Sequence, residues 1–203
     1  MNFLTKQKNH AIRTALVLFI CVIVLMMLAV FASNSNTKKY YLAERDGALE
    51  IWQGRFAPAA KKQLLTLPGI QLPAPHKPVY TRDEVYPLAF HYYINKADMI
   101  LEVPGVPDFE AIKSYLNKAL AFAVTDEQQK CALSRLYGID IMILLYKTDV
   151  STSKGTITDL KAALSYLQQA KALDISGQHT HIINPKLESI NSSIKQLQEK
   201  DSS

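Results

Sequence analysis

Residues 14–32, "TALVLFICVIVLMMLAVFA", run for 19 residues without a charge. At 1.5 Å per residue, a helix of that length covers about the ~30 Å hydrocarbon core of a bilayer. Such a run constrains a chain severely, because in hydrocarbon every backbone polar group must be bonded internally. It is expected to form a transmembrane helix with the lipid bilayer as its partner. A cleaved signal peptide is the rival reading, and Val30-Phe31-Ala32 before Ser33 offers a small-residue cleavage site. The apolar core of a cleaved signal is usually about 7–15 residues long, so the length favours an uncleaved anchor. Lys6, Lys8 and Arg13 precede the run and no acid accompanies them. The positive-inside rule then places residues 1–13 in the cytoplasm and 33–203 outside, although Lys38 and Lys39 pull the other way. The expected location is the inner membrane of a bacterium, single-pass, with a periplasmic or extracellular C-terminal domain.

The formal net charge of +5 owes three units to that N-terminal flank. Elsewhere Lys and Arg never run to three in a row. Nucleic-acid binding needs a concentrated basic face, so no nucleic acid is expected as a partner. Cys21 lies inside the apolar run, which leaves Cys131 alone outside it. An intramolecular disulfide is thereby excluded for the outer domain. The apolar helical pattern around Cys131 predicts a buried, inert thiol.

After a polar spacer at 34–38, "YYLAERDGALEIWQGRFAP" (40–58) reads as a β-hairpin. With Arg45-Asp46-Gly47 as a three-residue loop, Ala43 pairs with Leu49, Tyr41 with Ile51 and Tyr40 with Trp52. Tyr41, Ala43, Leu49 and Ile51 then share an apolar face, which favours this register. A two-residue Asp-Gly loop instead pairs Tyr41 with Trp52. Residues 67–87 hold five of the nine prolines and predict an extended strap, assigned to 59–80 in the domain scheme.

Beyond it the apolar period changes to 3.6 residues. Thr81 to Glu84 forms a capping-box pattern opening a helix to about residue 103, with Pro87 either kinking its first turn or marking its start. Asp108 caps a second helix, 109–123. Thr125 to Gln128 is another capping box, opening a third helix to about 147. A polar loop, "TDVSTSKGT", precedes a fourth helix at 158–173. Asn184-Pro185 opens a fifth, whose Ile183, Leu187, Ile190, Ile194 and Leu197 make a narrow seam. The expected fold is mainly α: a transmembrane helix (14–32), a spacer and hairpin (33–58), a strap (59–80) and a five-helix domain (81–203).

Ile112, Leu116, Ala119 and Phe122 recur, 51 positions later, as Ala163, Leu167, Ala170 and Leu173. This pattern, with "AALSYLQQAKALDIS" as its best stretch, resembles the tetratricopeptide-repeat family, in which small residues let paired helices approach closely. The resemblance implies α-hairpins stacked in two degenerate units over about 85–176, and a protein-docking role. The period, about 50 residues rather than 34, departs from that family. The hairpin is also similar to the short extracytoplasmic tail of bacterial membrane-anchored serine/threonine phosphatases, through Tyr40-Tyr41-Leu42, Asp46-Gly47 and Ile51-Trp52-Gln53-Gly54. That match is under 20 residues and brings no catalytic role.

No nucleophile elbow, phosphate-binding glycine loop, zinc-protease helix or kinase set is present. No enzyme activity, cofactor or metal is expected. His179 and His181 with Asp174 fall short of a closed metal set and read as a solvated loop. Asp140 has Leu136, Tyr137, Ile143 and Leu144 as helical neighbours. It is either paired to a Lys, Arg or Tyr across helices, or a functional carboxylate in a ligand cleft with Tyr92 and Tyr93. Trp52, Tyr40 and Tyr41 are interaction candidates, either at the lipid headgroups or against protein. The function expected is a membrane-anchored, non-catalytic interaction or scaffolding module with an unidentified protein or peptide partner. The alternative is a small-ligand-binding or sensory domain. The seam of 185–200 suits self-association.

Overall fold

The computed structural model describes residues 2–56 and 60–201, with side chains from 16 to 56 and 60 to 200. The side chains of Lys6, Lys8 and Arg13 lie outside that set, as do residues 57–59 between hairpin and strap. Among the described residues the chain is mainly α, with six helices and one three-stranded antiparallel sheet. It divides into two compact units, Met1–Leu88 and Ala89–Ser203.

The first unit begins with α1 (Asn2–Thr37). Its part Leu16–Thr37 is long and apolar enough to cross a membrane, with side chains from Leu16 to Phe31 largely exposed. The expected polar spacer is still helix, because its end is held by the sheet. Asn36 is buried and its Nδ2 donates to Arg55 O (2.9 Å) and Ala60 O (3.1 Å). Gln53 Nε2 donates to Thr37 O (3.0 Å), and Gly54 N to Lys39 O (2.9 Å). The carbonyls orphaned at a helix end thus find partners. A β-carbon on Gly54 would lie 2.0 Å from Asn36 O, so only glycine permits this approach.

Strands β1 (Tyr40–Arg45), β2 (Ala48–Gly54) and β3 (Lys61–Pro68) lie in the order β1-β2-β3. The observed hairpin register corrects the favoured one. Arg45 pairs with Ala48, Leu42 with Ile51 and Tyr41 with Trp52, which is the two-residue loop. Asp46 (φ 51°) and Gly47 (φ 71°) both take the left-handed conformation of a type I′ turn, whose twist matches that of the strands. The buried face is consequently Tyr40, Leu42, Leu49 and Ile51, joined by Leu67 of β3, while Ala43 is exposed.

Strand β3 corrects the strap, whose first third is an edge strand paired with β2. The remainder returns to β1, where Tyr40 and Tyr80 exchange backbone hydrogen bonds of 3.0 and 2.9 Å. Helix α2 (Arg82–Leu101) then starts with Thr81, whose N–H and hydroxyl donate to Glu84 at 2.8 and 3.0 Å. The nearby Lys77 ammonium donates to Glu84 at 2.6 Å. That bond first, then those from Thr81, hold the Glu84 carboxyl down at about 2. The helix runs through Pro87.

In the second unit α3 (Phe109–Ala121) starts at the Asp108 cap, which accepts from Ala111 N at 2.9 Å. Helix α4 (Asp126–Lys154) opens with the Thr125–Gln128 capping box, both halves formed. It continues through most of the expected polar loop to Gly155 (φ 70°). Thr148 and Ser151 are buried there, Thr148 donates to Leu144 O, and Asp149 pairs with Lys186. Tertiary contact overrides the weak propensity of those residues. Helix α5 spans Ile157–Leu173 and α6 Thr180–Asp201. Helix α6 starts before the expected Asn184-Pro185, because Asp174 accepts from His179 N (2.9 Å) and the Thr180 hydroxyl (3.1 Å) and so organises an earlier first turn.

Two apolar clusters fill this unit. Phe90, Ile94 and Ala97 of α2 pack with Ile112, Leu116 and Ala119 of α3 and with Ala132 and Ile139 of α4. Ile141 of α4 packs with Leu160, Ala163, Leu167 and Ala170 of α5 and with Ile183, Ile190 and Ile194 of α6. The α6 seam therefore faces the chain's own core. Cys131 is exposed, contrary to expectation. The inward position belongs to its neighbour Ala132, one helical step of about 100° away.

Candidate functional site

Helix α4 contributes to both clusters, so its middle is apolar on more sides than one packing stripe requires. The excess is left on the surface. Leu133, Tyr137, Met142 and Tyr146 are all exposed large apolar side chains. Two clefts follow from this. One, of about 330 Å³, lies between α4 (Lys130, Leu133, Ser134, Tyr137) and the α5–α6 connection (Leu173 to His179). The other, of about 170 Å³, lies between α2 (Ala97, Asp98, Leu101), α3 (Ile112, Leu116) and α4 (Arg135, Ile139, Met142). Gly138 and His179 line both, so the two form one furrow across α4. A β-carbon on Gly138 would meet nothing within 4 Å, which leaves the floor open.

Polar groups rim the furrow. Arg135 pairs with Asp98 across α4 and α2. At the other side His179 Nδ1 lies 3.3 Å from Asp174 Oδ1. The Asp174 side chain is only 2% exposed, and burial by itself would raise its carboxyl. Bonds from the His179 ring, the His179 N–H and the Thr180 hydroxyl outweigh burial and hold it below the ordinary value. Asp174 thus stays a carboxylate that orients His179 into the furrow. Ile175, 86% exposed, projects from the same connection. His181 is exposed, and no group of three His, Cys, Asp or Glu suited to a metal occurs among the described residues.

Of the sequence-derived ligand candidates, Tyr92 and Tyr93 are in ring contact, and Asp140 is paired to a lysine across helices, the first of its two sequence readings. Asp140 receives a 2.7 Å hydrogen bond from Lys113, which raises the lysine. Asp140 lines neither cleft. Tyr93 stacks on Tyr115 (6.2 Å) and Phe122 (5.9 Å), with Tyr92 edge-on at 5.3 Å. Burial, then the neighbouring Tyr92 and Tyr115, push the Tyr93 phenol up. Lys118 sits over both Tyr93 and Tyr115, and Lys96 over Tyr92. These rings form an aromatic layer between α2 and α3 whose faces are already engaged.

The interaction candidates fall on two faces of the sheet. Tyr40 is core: its ring meets Tyr86 edge-on at 5.7 Å, and burial, then the hydrogen bond with Tyr86, raise its phenol. Tyr41 and Trp52 sit on the opposite face, half-buried, with Lys61 Nζ 3.7 Å from the Tyr41 ring centre and Trp52 Nε1 donating to Glu50 at 3.1 Å. Sequence reasoning missed the furrow. Its one legible signal was the breadth of the apolar pattern over 133–145, with Gly138 in the middle.

Compared with known proteins, the chain matches no protein-family model, no curated protein and no solved structure.

Proposed function

We propose that this chain is a single-pass, membrane-anchored docking subunit without catalysis of its own, which offers the α4 furrow to a protein or peptide. The furrow carries the reading: Leu133, Tyr137, Met142 and Ile175 are exposed along it, with Lys130, Gln178 and the Asp98–Arg135 pair at its rim. Apolar centres with polar rims are the anatomy of docking sites. The tetratricopeptide-like pattern of α3 and α5 supports the same role, since stacked α-hairpins commonly present binding surfaces. The basic N-terminal flank supports a cytoplasmic N-terminus and a domain on the outer side of a bacterial inner membrane.

A second reading has one specific observation in its favour. The larger cleft, about 330 Å³, is within the size range of small-ligand pockets and holds the Asp174–His179 pair. A photo-crosslinking residue at Tyr137 of the membrane-embedded chain separates the two. Docking predicts one discrete protein adduct, lost on Leu133→Asp and absent when the crosslinker is moved to Lys195. No adduct at Tyr137, with saturable small-molecule binding abolished by His179→Ala, would replace docking by ligand binding.

A further inference from the structure

The sheet is electrically polarised along its strands. Tyr40, Gly54 and Lys61 stand at the end that meets α1, and the Asp46-Gly47 turn stands at the other. At the α1 end are Lys38, Lys39, Arg55, Lys61 and Lys62, all exposed. No acid lies within residues 14–43 or 51–82, and Glu44, Asp46 and Glu50 all lie toward the turn. A strand of this length separates the two ends by roughly 15–20 Å. None of the ion pairs among the described residues involves the five cations. Lys38 and Lys39 complement the negative end of the α1 dipole. Arg55 and Lys62 arrive from the end of β2 and from β3 without such a reason to gather there, and Lys61 beside them meets the Tyr41 ring but no acid.

Beside these cations an apolar side chain is turned outward. Phe56, just past β2, is 61% exposed. It shares a concavity with Met26, Met27, Val30 and Phe31 of α1, so it lies against the apolar run itself. The junction is held in place: Asn36 clamps Arg55 O and Ala60 O, and Gly54 touches the helix backbone. A soluble surface gains nothing from a phenylalanine beside a cluster of cations that no acid neutralises. A bilayer surface matches both, with acyl chains for the ring and phosphates for the cations.

We propose that the α1-proximal end of the sheet is a binding site for anionic phospholipid. Lys38, Lys39, Arg55, Lys61 and Lys62 hold headgroup phosphates, while Phe56 enters the acyl region next to the span. The site seats the sheet directly on the bilayer, in whichever leaflet α1 exits. It rests on the reading of α1 as a membrane anchor and adds the lipid chemistry at its exit.

The test uses the full chain in lipid nanodiscs of zwitterionic lipid, with or without phosphatidylglycerol. Phosphatidylglycerol is expected to be enriched around the wild-type chain. Lys38→Gln, Lys39→Gln, Lys61→Gln and Lys62→Gln combined should abolish the enrichment, since one cation at an anionic surface is worth about fivefold. Unchanged circular dichroism shows that the variant is folded. In a Trp52→Phe background, Phe56→Trp fluorescence should be quenched by lipids brominated in the upper acyl chain. Ala43→Trp, near the turn, should not be. Retention of the chain in discs with a bulk lipid ratio, an enrichment that survives the four substitutions, or no quenching at position 56 overturns this proposal alone. Failure of the chain to stay in the discs overturns the anchor reading and the lipid site together.

Discussion

Gly54 in the sheet and Gly138 in α4 stand in opposite situations. A β-carbon on Gly54 would be driven to 2.0 Å from the Asn36 carbonyl oxygen, whereas one on Gly138 would meet nothing within 4 Å. The first unit is assembled by close backbone approach and polar staples: Asn36, Gln53 and Tyr80 each bond main chain or close a loop. The second is assembled by apolar rows in which alanines bring helices together, with side-chain ion pairs such as Lys113–Asp140 and Arg135–Asp98 linking neighbouring helices beside them. A glycine that packing requires marks a junction. A glycine that packing does not require, in a helix interior where it costs about 0.5–1 kcal/mol relative to alanine, marks a surface kept open.

The contrast can be broken or sharpened experimentally, beginning with the largest effect. Leu167→Ala, fully buried in the α4–α5–α6 cluster, should cost about 2–5 kcal/mol by chemical denaturation of the full chain in detergent, because a core cavity is not refilled. Gly54→Ala should cost about 1–3 kcal/mol, as other overpacked sites do, and should expose the C-terminal end of α1 to protease. If it is silent, the α1–sheet junction is not the tight contact described. Asn36→Ala removes the donor to two carbonyls and should cost about 1–3 kcal/mol at the same junction, again read by proteolysis.

Gly138→Ala runs the other way. It should stabilise the helical unit by up to about 1 kcal/mol while weakening crosslinking from Tyr137, since the furrow floor is raised. Destabilisation would mean that Gly138 is structural after all. The smallest effect is in pH. Asp174 has a folded value below its unfolded one, so its contribution is complete at neutral pH and lost as pH falls from about 3.9 through the lowered folded value. The melting temperatures of wild type and Asp174→Asn should therefore differ at pH 7 and converge in acid.

Helix starts were well legible where a side chain caps its own backbone. Asp108 and the Thr125–Gln128 box act within four residues, so sequence contains the whole interaction. Helix ends were less so. The last two turns of α4 keep Thr148 and Ser151 buried and carry the Asp149–Lys186 pair, whose partner lies more than 30 residues away. Strand β3 has a single fully buried side chain, Leu67, and exists because β2 offers it an edge. Of the site, Gly138 and the broad apolar pattern were visible. That Asp140 pairs across helices was one of its two sequence readings, whereas the choice of Lys113 as partner and the stacking of Tyr93 on Tyr115 and Phe122 depend on packing.

The sequence by itself determined the apolar span, the mainly helical class after residue 81, and the two-residue Asp-Gly loop as one of two allowed turns, because these depend on composition and near-neighbour chemistry. Only the tertiary structure decided between the turns. Pairing Leu42 with Ile51 buries Tyr40 against Tyr86, while the alternative register would have turned Tyr40 and Leu42 to the opposite face. It also decided which side of α4 stays open. A helix that serves two cores has more apolar surface than either can cover, and the placement of α2, α3 and the α5–α6 connection settles where the remainder faces solvent.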